Sequence, residues 1–225
     1  GAGPVGLVLA LRLATLGIAS MVLEAEADIS EELRASTFHP PTLDMLDTMG
    51  LAAPLIAQGL VTPTWQIRRH EDGARAVFDL GVLKDDTAHP YRLQAEQWKL
   101  SRLILAKLAA EHAGAVELRF GCRVEAVAQD EDGVTLSGTG FDPLRAPYAV
   151  GCDGARSAVR KAMGLDFPGD TYPETTILAT TLFRFDEVFE GLSNVNYVWT
   201  RSPAFSGTFS LLRVPGKWRA SLYPA

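Results

Sequence analysis

The chain has 225 residues, 21 of them Lys or Arg and 27 Asp or Glu, for a formal net charge of −6. That acidic balance, with no basic stripe, argues against nucleic acid as a partner and leaves no polybasic membrane anchor. Hydrophobic residues make up 47%, enough for one large core or two modest ones, but the longest apolar stretch, Val5 to Ile18, is broken by Arg12 and too short to span a bilayer.

The chain opens on Gly1-Ala2-Gly3-Pro4-Val5-Gly6. Val5 to Leu16 reads as a helix, with Gly6, Ala10 and Ala14 forming a face without bulk. Gly17 ends it. Ala19 to Leu23 reads as a buried parallel strand that delivers Glu24 at its end. After a polar loop, Pro40-Pro41 leads a helix near Thr42 to Met49, stopped by Gly50. Trp65 to Arg69 and Ala76 to Leu80 read as strands around the turn Glu71-Asp72-Gly73. They make a β-hairpin insertion, about residues 62–93, reaching toward a second domain. A helix from Glu96 to His112 carries the stripe Leu100, Leu103, Ile104 and Leu108.

Val116 to Phe120, Arg123 to Ala128 and Val134 to Ser137 read as a small meander, with Asp132-Gly133 as a hairpin turn. Tyr148 to Val150 reads as a strand running into Gly151-Cys152-Asp153-Gly154, followed by a helix from Ala155 to Met163. Beyond Leu165 helical periodicity fades, and short strand-like runs imply an antiparallel sheet. The expected boundary therefore separates residues 1–164 from 165–225. A glycine fingerprint with no strand in front of it, and an end at Ala225 in mid-sheet, are expected of a fragment cut at both ends.

The three glycines have separate duties. Gly1 allows a tight strand-to-helix turn, Gly3 lets the backbone approach a pyrophosphate, and Gly6 lets the helix pack closely. Pro4 suits the first helical position. The helix N-terminus offers N–H groups and a positive dipole end to phosphates. Glu24 lies 18 positions past Gly6, where a carboxylate accepts both hydroxyls of an adenosine ribose and disfavours a 2′-phosphate. The residues alone thus point to FAD or NAD rather than NADP.

The run Tyr148-Ala149-Val150-Gly151-Cys152-Asp153-Gly154-Ala155-Arg156-Ser157 resembles the aspartate-glycine motif of the single-component FAD-dependent aromatic hydroxylases, the para-hydroxybenzoate hydroxylase family. That resemblance implies an α/β fold: a Rossmann-type FAD-binding domain with an antiparallel-sheet (α+β) substrate domain. It assigns Asp153 to the ribityl region of FAD. Leu33-Arg34-Ala35-Ser36, followed by Pro41-Thr42-Leu43, resembles the family segment that brings an arginine, here Arg34, to the cofactor phosphates. Gln97-Trp98-Lys99-Leu100 resembles the start of the helix whose glutamine bonds the flavin side. Gln97 fits the register of the apolar stripe better than Gln94. Val124 stands where a family backbone contacts the adenine. Each also has a plainer reading, as a turn, a solvated loop charge or a helix-start residue.

The implied activity is hydroxylation of an aromatic, phenol-like substrate with NADH or NADPH and O2, by way of a flavin C4a-hydroperoxide. A flavin-dependent reductase or halogenase of the same fold, or a non-catalytic FAD-binding fragment, stays open, although no W-x-W-x-I-P run favours a halogenase. Trp199, Phe205, Phe209, Trp218 and Tyr223 either line an aromatic pocket or form plain core. Arg213 and Arg219 are candidates for an acidic group. His39, His70, His89 and His112 read as surface or loop residues, and no metal site is expected. Cys122 and Cys152 form no C-x-x-C pair, which suits reduced thiols in a cytoplasmic protein. A homodimer stays open.

Overall fold

The computed structural model describes residues 1–32, 35–171, 175–202 and 205–223. In chain order the first elements are α1 (Pro4–Thr15), β1 (Ser20–Leu23), β2 (Thr37–Phe38), α2 (Pro40–Asp47), α3 (Ala52–Ile56), β3 (Leu60–Thr62), β4 (Thr64–Arg69), β5 (Gly73–Asp79) and β6 (Arg92–Gln94). There follow α4 (Gln97–Glu111), β7 (Val116–Arg119), β8 (Arg123–Asp130), β9 (Gly133–Thr139), β10 (Leu144–Ala146) and α5 (Ala158–Ala162). The chain then runs through β11 (Ile177–Thr181), α6 (Phe185–Val188), β12 (Val195–Ser202), β13 (Phe205–Val214) and β14 (Lys217–Tyr223). Two units separate: residues Gly1–Glu32 with Trp98–Gly169, and Leu33–Gln97 with Asp170–Ala225. Among the described residues no helix is long and apolar enough to cross a membrane.

In the first unit, α1 buries Gly6, Leu7, Ala10, Leu11 and Ala14 on one stripe. Gly17 closes it at φ +72°, and the Ile18 N–H bonds back to the Leu13 carbonyl at 2.9 Å. β1 pairs in parallel with β7, from Ser20 opposite Val116 to Leu23 opposite Arg119. Val116 to Phe120 therefore leaves the meander to which its sequence assigns it. The long helix α4 precedes β7, as suits a strand entering a parallel pair. The antiparallel sheet is β10-β9-β8, and its third strand is Leu144–Ala146. Tyr148 to Val150 forms no strand: no described strand lies beside it to complete a ladder, and Tyr148 and Val150 are 88% and 65% exposed. The hairpin between β8 and β9 turns at Glu131-Asp132, where the Asp130 carboxylate accepts the Asp132 N–H at 2.9 Å.

Asp130 also receives both Arg145 nitrogens, at 2.5 and 3.0 Å, which ties β8 to β10. The Arg145 hydrogen bond, helped by the Asp132 N–H, holds the Asp130 carboxyl at about 2 instead of 3.8. A depressed folded-state value stabilises above the unfolded one, and that contribution disappears as pH falls through about 2. Thermal unfolding from pH 5 to pH 2 is expected to fall more steeply in the wild type than in Arg145→Gln. Parallel curves would remove the pair from the stability of this sheet.

The second unit holds a three-stranded antiparallel sheet, β2-β6-β3, and a six-stranded sheet in the order β11-β14-β13-β12-β4-β5. The β4–β5 hairpin forms as expected, although β5 begins at Gly73, three residues ahead of Ala76, and ends before Leu80; β4 also pairs in parallel with β12, Asn196 opposite Gln66. The sheet is therefore antiparallel except at that seam. α2 begins at Pro40, so both prolines occupy its first turn. A short α3 follows it, and Leu43, Leu46, Leu51 and Leu55 are buried beneath the pair.

Arg68 is buried and donates to Gln66 Oε1 at 2.6 Å and to the carbonyls of Gly191 and Glu190 at 2.9 Å each. Burial pushes its guanidinium below the ordinary arginine range. His89, expected as a surface or loop residue, lies in a loop but is only 7% exposed. Its Nδ1 meets Asp44 Oδ1 at 2.7 Å, and Thr87 donates to the other Asp44 oxygen at 2.6 Å. This pair fastens the loop before β6 onto α2.

Strand alternation divides the expected aromatic set. Trp199 and Tyr223 both stand across from Thr208 and share its face, whereas Phe209 and Trp218 occupy the opposite face. They do not line one pocket. Trp218 is core, edge-on to Phe185, with the Arg213 guanidinium over its ring. Arg213 also pairs with Asp186 at 3.3 Å. The Phe205 side chain lies outside the described residues.

Candidate cofactor site

Steric limits explain the glycine turn. A Cβ at Gly6 would lie 2.0 Å from the Gly1 carbonyl oxygen, and one at Gly1 would lie 2.7 Å from that of Cys152. Both neighbours are backbone and cannot swing aside. Gly3 is different, because a Cβ there would meet nothing within 4 Å. Two glycines are therefore required by the protein itself, while the third keeps open the space above the turn. Gly3 is the N-cap of α1 with no side-chain cap, and Pro4 has no N–H to lose. The first helical bond runs from the Leu7 N–H to the Gly3 carbonyl at 3.0 Å. The N–H groups of Val5 and Gly6 precede it and face the end where a helix dipole favours anions.

Glu24 follows β1 directly and reaches the turn. Its Oε2 accepts the Ala2 N–H at 2.6 Å and its Oε1 the Glu26 N–H at 3.0 Å. Each carboxylate oxygen retains a lone pair for a further donor. The backbone of Glu24 is fixed on both sides: its N–H bonds to Arg119 O at 2.8 Å, and its carbonyl accepts the Cys122 N–H at 2.8 Å. Val124 stands two residues after Cys122, at the start of β8. The neighbouring Arg123 pairs with Glu26 at 3.3 Å.

Asp153 is brought to the same turn, its Cα 3.6 Å from where a Gly1 Cβ would be. Its Oδ2 accepts the N–H of Ala158 at 2.7 Å and of Val159 at 3.3 Å. Desolvation pushes the carboxyl up, but the Ser157 hydroxyl and these N–H groups outweigh it and hold it below its ordinary range. This capping also explains why α5 starts at Ala158 and not at Ala155. Ser157 becomes the N-cap, accepting the Arg160 N–H at 3.0 Å. Gly1, Gly3, Pro4, Gly6, Glu24, Val124 and Asp153 thus all belong to one unit.

Two candidates remain. Arg34 lies outside the described residues. Gln97 belongs to the second unit, half-buried, with its N–H on the Ala35 carbonyl at 3.1 Å. Nearby Gln94 is 0% exposed, its Oε1 accepts the Thr37 hydroxyl at 3.0 Å, and its Nε2 has no partner among the described residues. A buried amide with an unused donor needs an acceptor. Stripe register could not single out Gln94, because it sits in β6, ahead of the helix.

An open glycine turn beneath a bare helix N-terminus, with a carboxylate at the end of the next strand, defines a dinucleotide-binding α/β protein. The donors fit a pyrophosphate and the free acceptors of Glu24 fit a ribose diol. The chain belongs to the FAD binding domain family, which matches residues 1–217. It is 37% identical over 222 residues to para-nitrophenol 4-monooxygenase of Pseudomonas sp. (strain WBC-3), covering 97% of this chain and 54% of that protein. Rifampicin monooxygenase of Streptomyces venezuelae is 36% identical over 185 residues, 79% of this chain and 36% of that protein. Among solved structures, p-nitrophenol 4-monooxygenase from Pseudomonas putida DLL-E4 superposes with a TM-score of 0.90 at 33% identity, covering 99% of this chain and 56% of that one. The chain spans about half the length of para-nitrophenol 4-monooxygenase and about a third of rifampicin monooxygenase.

Proposed function

We propose that this chain serves an FAD-dependent monooxygenase that hydroxylates a phenol-like ring, with NADH or NADPH as reductant and O2 as oxidant, in the cytoplasm. The observation that carries the reading is the open space over Gly3, with Glu24 fastened to the same turn. The choice of reaction rests on the likeness to para-nitrophenol 4-monooxygenase. Bound FAD would pass electrons from the nicotinamide and deliver one oxygen atom of O2 to the ring, the other leaving as water.

The residues supply binding and orientation. Gly1, Gly3, Pro4 and Gly6 seat the pyrophosphate against the start of α1. Glu24 accepts the adenosine ribose hydroxyls, and Val124 offers backbone to the adenine. Asp153 turns its remaining acceptors to the ribityl hydroxyls. Arg34 and Gln97 join this set by family resemblance. Residues 1–164 carry the cofactor-binding role apart from the β4–β5 hairpin, which is inserted into the six-stranded sheet; that sheet takes the substrate role, with the duty of orienting the ring and excluding water.

The test is a panel of phenols, p-nitrophenol among them, with FAD and NADH or NADPH. At least one phenol is expected to stimulate nicotinamide oxidation and yield a product one oxygen heavier. FAD binding with neither effect across the panel would overturn the reading.

A further inference from the structure

Glu24 grips the phosphate turn as well as facing the ribose position. The Ala2 amide it accepts, at 2.6 Å, comes from 22 residues away in the chain, and Ala2 is 2% exposed. A buried N–H at that point has a strong need for an acceptor, and an ionised one holds it about twice as firmly as a neutral one. The second carboxylate oxygen is braced by the Glu26 N–H at 3.0 Å. The backbone of Glu24 is in turn anchored to Arg119 and Cys122. By contrast, what Gly1 and Gly6 supply is the lack of a Cβ, which at either position would run into backbone; that lets the turn close but does not draw it toward β1.

We propose that Glu24 is a positioning residue for the glycine turn: its carboxylate draws Ala2 to the end of β1 and so sets Gly3 and the first N–H groups of α1 where a pyrophosphate meets them. Recognition of the adenosine and of the phosphates is then coupled through one carboxylate. The inference uses the proposed reading of the turn as a phosphate site, but its first readout is taken without ligand.

The experiment compares Glu24→Gln and Glu24→Ala with the wild-type full chain. Amide exchange at Ala2, Gly3 and Gly6 is followed by NMR in ligand-free protein, with the β1–β7 amides as the control for folding. Inorganic pyrophosphate is then titrated against the Gly3 and Gly6 signals, and FAD is titrated by fluorescence. The positioning role predicts roughly tenfold faster exchange at Ala2, unchanged protection along β1–β7, and pyrophosphate binding weakened roughly threefold to tenfold. Coulomb's law alone predicts the reverse for the anion, since removing a nearby carboxylate should tighten it. Unchanged Ala2 exchange, or pyrophosphate bound as well or better, would overturn the proposal even if FAD weakens, leaving Glu24 a ribose acceptor only. A wild-type protein that binds no FAD would count against the proposed function, while Ala2 exchange would still decide the positioning role.

Discussion

Gly6→Ala is expected to abolish measurable FAD binding and to lower stability by about 3 kcal/mol, the upper range for forcing atoms into a packed site. The added methyl would lie 2.0 Å from the Gly1 carbonyl oxygen, and that neighbour is backbone. Either α1 rises or the turn unwinds, and both displace the N–H groups proposed to meet the phosphates. Gly3→Ala is the informative partner. Its backbone, at φ −68° and ψ 172°, suits any residue, and the methyl meets no atom of the described residues within 4 Å. It should fold and melt as the wild type does, yet bind FAD at least tenfold more weakly, because the methyl fills the phosphate's space. Circular-dichroism melts and flavin fluorescence together check the pair. Gly6→Ala binding FAD normally, or Gly3→Ala unfolding early, would contradict the division of labour among the glycines.

Arg68→Ala should destabilise the second unit by about 3 kcal/mol. The loss leaves Gln66 Oε1 and two loop carbonyls, those of Glu190 and Gly191, without their donor. Arg68→Lys should recover only part of it, since an ammonium has no planar fork to reach three spread acceptors. Denaturant unfolding followed by tryptophan fluorescence reads the effect, with Trp65, Trp199 and Trp218 all in this unit. A change below about 1 kcal/mol, within what many surface substitutions produce, would mean that the guanidinium is not what fastens the 190–191 loop to β4.

Features legible in the sequence are those whose physics is local. α1, the β4–β5 hairpin and α4 follow from residue spacing and from glycine and proline at their ends. The glycine turn and Glu24 follow from a short, rigid pattern, and the structure brings them within hydrogen-bond distance. Partners across long separations were not legible. Val116-Glu117-Leu118-Arg119 carries no mark that its neighbour is β1 and not β8. Nothing in Trp65 to Arg69 announces a parallel seam with β12 about 130 residues away. Tyr148 to Val150 has strand-like residues, but a strand also needs a neighbour.

Side-chain capture of backbone amides was equally hidden. Asp153 takes the Ala158 and Val159 N–H groups and so delays α5, where a pattern of helix formers suggests an earlier start. The Asp44–His89 pair joins residues 45 apart, so neither advertises the other. The two faces of the β12–β14 sheet could be assigned only once the register was known, and a one-residue shift would exchange them. That is why spacing alone left pocket and plain core both open for aromatic side chains that the register places on opposite faces.

The proposed adenosine-and-pyrophosphate cradle of the first unit would select FAD. Fluorescence titration with FAD and, in parallel, with FMN measures this directly, because FMN carries the flavin and one phosphate but no adenosine. FAD should bind at least a hundredfold more tightly, the sum of a ribose contact to Glu24 and a second phosphate on the turn at about 1.4 kcal/mol or more each. Equal affinity for the two flavins would contradict the assignment of Gly1 to Gly6 and Glu24.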